Sequence, residues 1–306
     1  TMKPKEMIEG GFYGLVIGDA LGVPVEFKSR ECLRKNPVNG MIGYGTHNQP
    51  PGTWSDDTSI ALTTIDALAE GYNPMRMMDK FCDWFFRKKY TPHGRVFDIG
   101  SSTAFALQHY VNHGTPPSEF DKYSNGNGSL MRILPASIVF RDKSIEDIVM
   151  INFEISSLTH GHPRSCLACA YYSILIKHIF EGKTIQESYL QTNGEIPAHI
   201  PNSESANFAR LLDGKIGNIA THEIKSSGYV IHTLEAALWA CLTTTNFQDA
   251  VLKAVNLGED TDTVGAVTGG IAGVFYGKKE IPAEWIKSLA KLEELEKFSK
   301  ILVDLS

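Results

Sequence analysis

The chain has 306 residues, of which 29 are Lys or Arg and 35 are Asp or Glu, for a formal net charge of −6. Its 42% hydrophobic and 21% charged content is that of an ordinary globular protein. The acidic balance and the lack of a Lys/Arg block argue against nucleic acid as a partner, and no run of about 20 apolar residues is expected to span a membrane.

In chain order, the first helical segment carries Gly10, Gly14, Gly18 and Gly22 at a spacing of four. A second, near the end, repeats the pattern with Gly265, Gly269, Gly273 and Gly277. A glycine inside a helix costs about 0.5–1 kcal/mol relative to alanine, so these need a reason. Spacing by four puts each set on one helix face, which predicts two central helices packed tightly on each other. Between them, Asn73 before Pro74 opens a helix running through Phe85. Ser144-Ile145-Glu146-Asp147 and Thr184-Ile185-Gln186-Glu187 read as capping boxes, and Asn246 caps a stretch through Val255. Gly71, Gly114 and Gly182 stand where helices stop. Cys166 and Cys169 lie in an apolar helical run and are expected to be buried thiols, since a zinc site needs further ligands. With Cys32, Cys82 and Cys241 they make an odd count in a long chain, which fits a reducing, cytoplasmic setting. The best strand-like alternation, Ser227 to Thr233, also fits a loop. The expectation is an all-α chain. Without a Pro/Ser-rich linker or a composition break, residues 1–306 read as one domain.

Four clusters carry chemistry. Gly18-Asp19-Ala20-Leu21-Gly22 is followed by Pro24 and Glu26. Trp54-Ser55-Asp56-Asp57-Thr58-Ser59 leads into the apolar run Ile60 to Leu68. Asn125-Gly126-Asn127-Gly128-Ser129-Leu130-Met131-Arg132 is glycine-rich, with backbone N–H groups suited to cradling a diphosphate. Gly258-Glu259-Asp260-Thr261-Asp262-Thr263 opens the second glycine helix. Acids at a helix start can simply complement its dipole. Two such clusters, each beside an apolar helix that pulls it inward, favour hard cations instead. Mg²⁺ and Mn²⁺ take carboxylate and hydroxyl oxygens, and buried carboxylates without a cation repel one another and lose their charge.

These clusters, with Thr159-His160, resemble the ADP-ribosylglycohydrolase family, that of dinitrogenase reductase-activating glycohydrolase and the ADP-ribosylhydrolases. Order and spacing match from about Glu6 to Gly277. The resemblance implies a compact, single-domain orthogonal helical bundle with a binuclear Mg²⁺ or Mn²⁺ centre in a central cleft. Ser55, Asp56, Asp57, Asp260, Asp262 and Thr263 look like the metal ligands, with Ser55 where the family usually has threonine. Glu26 falls where the family has a catalytic glutamate. Phe97-Asp98-Ile99-Gly100-Ser101-Ser102 looks like the substrate loop. Asp98 matches a catalytic aspartate of arginine-specific members, or else caps the helix from Ser102. Asn125, Gly126, Asn127, Gly128 and Met131 match the substrate-binding loop, His160 a histidine lining the cleft, and Tyr229 a residue near the ribose.

The implied reaction is cleavage at ribose C1″, through an oxocarbenium-like state or through ribose ring opening. Arginine of a modified protein is the expected acceptor, with serine, poly(ADP-ribose) or a small ADP-ribosylated molecule as alternatives and ADP-ribose as product. A non-catalytic ADP-ribose-binding relative is disfavoured by the intact carboxylates. A dimetal nucleotide pyrophosphatase is disfavoured because such enzymes carry E-x-x-E motifs within helices. A monomer is expected, since both glycine faces are used internally.

Overall fold

The computed structural model describes residues 1–122 and 124–306. Among them the chain forms fifteen α-helices, and its β pairing is limited to two isolated bridges, Tyr44 with Gln49 and Gly126 with Tyr229. The first half runs α1 (Pro4–Gly22), α2 (Arg30–Lys35), α3 (Asp56–Ala69), α4 (Pro74–Arg87), α5 (Ser101–His113), α6 (Leu134–Val139) and α7 (Ile145–Ser157). The second runs α8 (Pro163–Phe180), α9 (Ile185–Glu195), α10 (Asn202–Leu212), α11 (Val230–Leu242), α12 (Phe247–Val255), α13 (Thr261–Tyr276), α14 (Ala283–Lys287) and α15 (Leu292–Leu305).

Local signals set most of these ends. Asn73 accepts the backbone N–H groups of Met75 and Arg76 at the start of α4. Thr184 and Glu187 form a reciprocal capping box on α9, and Asn246 caps α12 through the N–H of Asp249. Ser144 caps α7 through the N–H of Asp147, but the return bond of a box is not made. Aspartate is one methylene shorter than the glutamate that usually closes it. Ser227 to Thr233 is not a strand. After the Gly126–Tyr229 bridge the chain turns directly into α11, where the apolar stretch from Val230 joins the helical core.

The two glycine helices pack antiparallel at the centre, α1 against α13. A methyl on Gly10, Gly14 or Gly18 would sit 2.1, 2.0 or 1.9 Å from the carbonyl oxygen of Gly273, Gly269 or Gly265 respectively. No side chain fits between backbones that close. Gly22 is the last residue of α1, and Gly277 lies beyond α13 with φ of +86°, so neither bears the cost of a helix-interior glycine. With Val23–Val25, α1 is long and apolar enough to cross a membrane by length and composition, contrary to the sequence expectation. Of the 18 residues that give it this character, 94% are buried inside the fold, so its apolar character serves the core. α11 and α12 also pack on α13, and α8, nearly all of it buried, packs against α7 and α9. Cys166 and Cys169 are buried free thiols within it.

This pairing has a functional consequence. An antiparallel pair puts the C-terminal end of α1, bearing Asp19, beside the N-terminal end of α13, bearing Asp262. The N-terminus of α3 meets them there, through hydrogen bonds from Ser55 and Thr58 to Asp19. Two helix N-termini therefore converge on one point, where their dipoles favour negative charge.

Candidate active site

Asp19 is fully buried and accepts four hydrogen bonds from the start of α3. They come from the N–H (2.8 Å) and Oγ (2.7 Å) of Ser55 and from the N–H (3.2 Å) and Oγ1 (2.7 Å) of Thr58. Burial pushes its carboxyl up to about 6, while those four bonds pull the other way. Asp19 thus ties α1 to α3 and completes the cap of the helix that carries Asp56 and Asp57.

Ser55 Oγ lies 2.7, 2.9 and 3.1 Å from carboxylate oxygens of Asp19, Asp57 and Asp262. A hydroxyl has one proton to donate, so it cannot satisfy all three. Asp57 Oδ2 is buried without a hydrogen-bond partner. Carboxylate oxygens of Asp19, Asp57 and Asp262 lie within 4.8 Å of one another, as do those of Asp56, Asp98 and Asp262 and those of Glu26, Asp260 and Asp262. Asp262 belongs to each of these three, and a fourth group joins Glu26 and Asp98 to His47. Burial first, then the neighbouring carboxylates, raise Asp56, Asp57 and Asp262 well above the ordinary range. Asp260 is raised by burial against a hydrogen bond from Asn127. An oxygen-only donor set with an orphaned buried oxygen and mutually repelling carboxylates fits hard divalent cations.

Above this cluster opens a cleft of about 540 Å³. Glu26, Asp56, Asp98, Glu259, Asp260 and Thr263 line it, and no Lys or Arg is among its lining residues. Three lining residues other than glycine adopt left-handed backbone: Phe27 (φ +71°), Asp98 (+62°) and Glu259 (+63°). Such conformations persist only where surrounding structure enforces them. Here the Phe27 N–H donates to Glu259 O at 2.7 Å and the Glu259 N–H to Lys28 O at 2.8 Å, so the two loops brace each other. Burial first, then Asp98, raise the Glu26 carboxyl far above the usual carboxylate range.

A sequence model of the ADP-ribosylglycohydrolase family matches residues 1–306. The chain belongs to the ADP-ribosylglycohydrolase family. Such proteins are hydrolases acting on glycosyl bonds. It is 35% identical to an ADP-ribosylarginine hydrolase, Tri1, of Serratia proteamaculans, over 96% of this chain and 78% of that protein. It is 27% identical to the ADP-ribosyl-(dinitrogen reductase) glycohydrolase of Rhodospirillum rubrum, over 94% of this chain and 91% of that one. A solved structure described as an ADP-ribosylglycohydrolase-related protein complex superposes with a TM-score of 0.82 at 31% identity, covering 99% of each chain.

In this glycohydrolase the residues singled out from sequence fall into three sets. Glu26, Asp56, Asp98, Gly100, Asn127, Gly128, Met131, His160, Asp260 and Thr263 line the cleft. Ser55, Asp57 and Asp262 are buried beneath it. Ser101, Asn125, Gly126 and Tyr229 do not line it. Ser101 faces a neighbouring cavity of about 690 Å³. The Asn125 carbonyl accepts the Val230 N–H, the Gly126 carbonyl accepts Ser165 Oγ, and the Tyr229 hydroxyl accepts Arg164 Nη1 at 3.1 Å. Asp98 caps no helix, since α5 starts after Gly100 without a side-chain cap.

The Asn127 N–H is taken by Gly228 O, so it is not free to cradle phosphate. Its side-chain amide instead donates to Asp260 Oδ2 at 2.7 Å and Thr233 Oγ1 at 2.8 Å. Gly128 admits the His160 ring, whose Cε1 would lie 2.5 Å from a Cβ there. Burial first, then Arg132, hold His160 down to about 3, so its imidazole is neutral. The buried Arg132 binds Gly128 O, Thr159 Oγ1 and Ile155 O, joining the glycine loop to the end of α7.

Sequence reasoning left Asp19, Arg132 and Glu259 without roles, though each stands inside a quoted motif. His47 carried no signal, yet its Nε2 lies 2.6 Å from Glu26 Oε1.

Proposed function

We propose that this protein is a metal-dependent ADP-ribosylarginine hydrolase. The observation that carries the reading is the buried group of Asp57, Asp262 and Ser55 under a cleft lined by carboxylates. Diphosphate cannot approach such a lining uncompensated, and the donor set fits Mg²⁺ or Mn²⁺. Arginine as the acceptor is supported by the relatives named ADP-ribosylarginine hydrolases and by the acidic lining, which suits a guanidinium.

Ser55, Asp56, Asp57, Asp260, Asp262 and Thr263 would hold two ions. Bound divalent ions offset the substrate's negative charge, orient its terminal ribose and make nearby water more acidic. The chain's own groups do the rest. Asn127 holds Asp260 in place, and Asp19 holds the start of α3. With cations held at the neighbouring carboxylates, Glu26 would be ionised and would accept and pass on the proton of the attacking water, and Asp98 steadies the ribose or the guanidinium. Neutral His160 packs on the glycine loop without adding charge. In the net reaction the water oxygen bonds to C1″ and the bond from C1″ to the arginine nitrogen breaks. The proton ends on the departing guanidine. Five free cysteines support a reducing, cytoplasmic setting.

The test is ADP-ribose release from ADP-ribosyl-arginine and ADP-ribosyl-serine proteins, with Mg²⁺, Mn²⁺ or EDTA, beside Asp260→Ala. Metal-dependent release from arginine that the variant loses is the expected result. Preference for serine would reassign the acceptor. Release of AMP in place of intact ADP-ribose would overturn the glycosidic reading.

A further inference from the structure

Glu26 stands where its side chain needs external support. It follows the 3₁₀ turn Val23–Val25 and precedes left-handed Phe27, so no helix fixes its direction. Asp98, Asp260 and Asp262 crowd its carboxyl, and a carboxyl among other carboxyls has no fixed cationic partner to set its orientation. Among the described residues the non-acidic side chain that hydrogen-bonds it is His47, at 2.6 Å between Nε2 and Oε1.

The turn that carries His47 is built around this contact. Tyr44 (φ +67°), Gly45 (+57°) and Asn48 (+50°) all adopt left-handed backbone, and Tyr44 pairs with Gln49 across them. A methyl on Gly45 would lie 2.0 Å from Pro24 O, so the turn is pressed onto the segment leading to Glu26. Thr46 Oγ1 donates to the Glu26 carbonyl at 2.7 Å, and Gln49 Nε2 donates to the His47 carbonyl at 3.0 Å. The imidazole packs near two aromatic rings, with centroids 5.2 Å from Phe97 and 6.2 Å from Phe27. Tyr44 itself is exposed, so the strained turn is not there to fill a core. Strain of this kind persists where surrounding contacts enforce it and clusters at functional sites.

We propose that His47 is a positioning residue for the hydrolysis: it holds the Glu26 carboxyl in the cleft, and the Tyr44–Gln49 turn serves to present it. This rests on the assignment of Glu26 to proton transfer. The test compares H47F, which fills the space without a hydrogen bond, with H47Q, which keeps a polar partner, and with E26Q. All are assayed as full-length, metal-loaded enzyme on ADP-ribosyl-arginine protein, alongside calorimetric binding of ADP-ribose.

H47F is expected to lower kcat about 10- to 100-fold, the loss typical of a misplaced reacting group, with KM and ADP-ribose affinity essentially unchanged. H47Q should recover most of that loss. Parent-like kcat in H47F, loss of ADP-ribose binding together with kcat, or no recovery in H47Q would each overturn the positioning role. If H47F does not fold, H47A with added imidazole carries the same test: rescue of kcat supports the proposal and no rescue overturns it. Full activity in E26Q would instead remove Glu26 from proton transfer, and the proposal with it.

Discussion

Replacing Gly14 by alanine puts a methyl 2.0 Å from Gly269 O and 2.9 Å from Gly269 C. Both are backbone atoms in the middle of a buried helix, so no side chain can swing aside. Contacts of a real Cβ essentially never fall under 3.0 Å, and α1 and α13 must therefore part by roughly 1 Å, the difference between these separations. Overpacking costs about 1–3 kcal/mol, and backbone against backbone belongs at the upper end. Alanine's better helix propensity offsets about 0.5–1 kcal/mol of this, leaving a net loss of about 2 kcal/mol. Gly194 in α9 has nothing within 4 Å of an added Cβ. Gly194→Ala is thus expected to stabilise by about 0.5–1 kcal/mol, the same substitution with the opposite sign. Urea unfolding midpoints of the two variants and the parent, all in EDTA, read the difference. The separation also shifts Asp19 against Asp262, so Mn²⁺ should bind Gly14→Ala more weakly than the parent. A midpoint for Gly14→Ala at or above the parent's would refute the close-packing account.

Asp262→Asn removes the carboxylate common to all three acidic groups. Calorimetry should show loss of Mn²⁺ binding, and hydrolysis should fall about 10³-fold, equivalent to roughly 4 kcal/mol of barrier; tight Mn²⁺ binding by the variant would remove Asp262 from the centre. In EDTA, the raised Asp56, Asp57 and Asp262 bind protons more tightly folded than unfolded. Their contribution is full below the unfolded carboxylate range and is lost as pH rises toward the folded values. The metal-free unfolding midpoint should therefore fall as pH rises above about 4, the unfolded carboxylate range, and Mg²⁺ or Mn²⁺ at about 100 times its Kd should add about 2.7 kcal/mol. A metal-free midpoint that rises with pH there would contradict the crowding of these acids. Arg132→Lys cannot reproduce the planar fork that reaches Gly128, Thr159 and Ile155. Stability should drop by about 2–3 kcal/mol, with weaker ADP-ribose binding by calorimetry; unchanged affinity would separate Arg132 from the glycine loop's function.

The helical class was legible because it is written locally. Asn73, Thr184 and Asn246 cap the helices that their side chains announce. The glycine spacing needed only the helical period to imply a close helix pair, and the carboxylate motifs implied a cation site from charge and apolar context. The Ser144 motif misled because a box depends on side-chain reach, which a pattern of residue types does not measure. The apolar length of α1 was missed because its charged and glycine positions obscured a stretch that the fold buries almost entirely.

The sequence by itself determined the helices, the two glycine faces and the kinds of group at the centre, because periodicity, capping and side-chain chemistry act over a few residues. Tertiary structure decided which groups meet. The antiparallel register of α1 and α13 brings Asp19, Asp57 and Asp262 together from three distant segments. Backbone pairing decides that the Asn127 N–H serves Gly228 while its side chain serves Asp260. A turn with no motif sets His47 on Glu26. Such contacts follow from packing the whole chain at once, because a hydrogen bond between residues far apart in sequence leaves no mark on the local pattern of either.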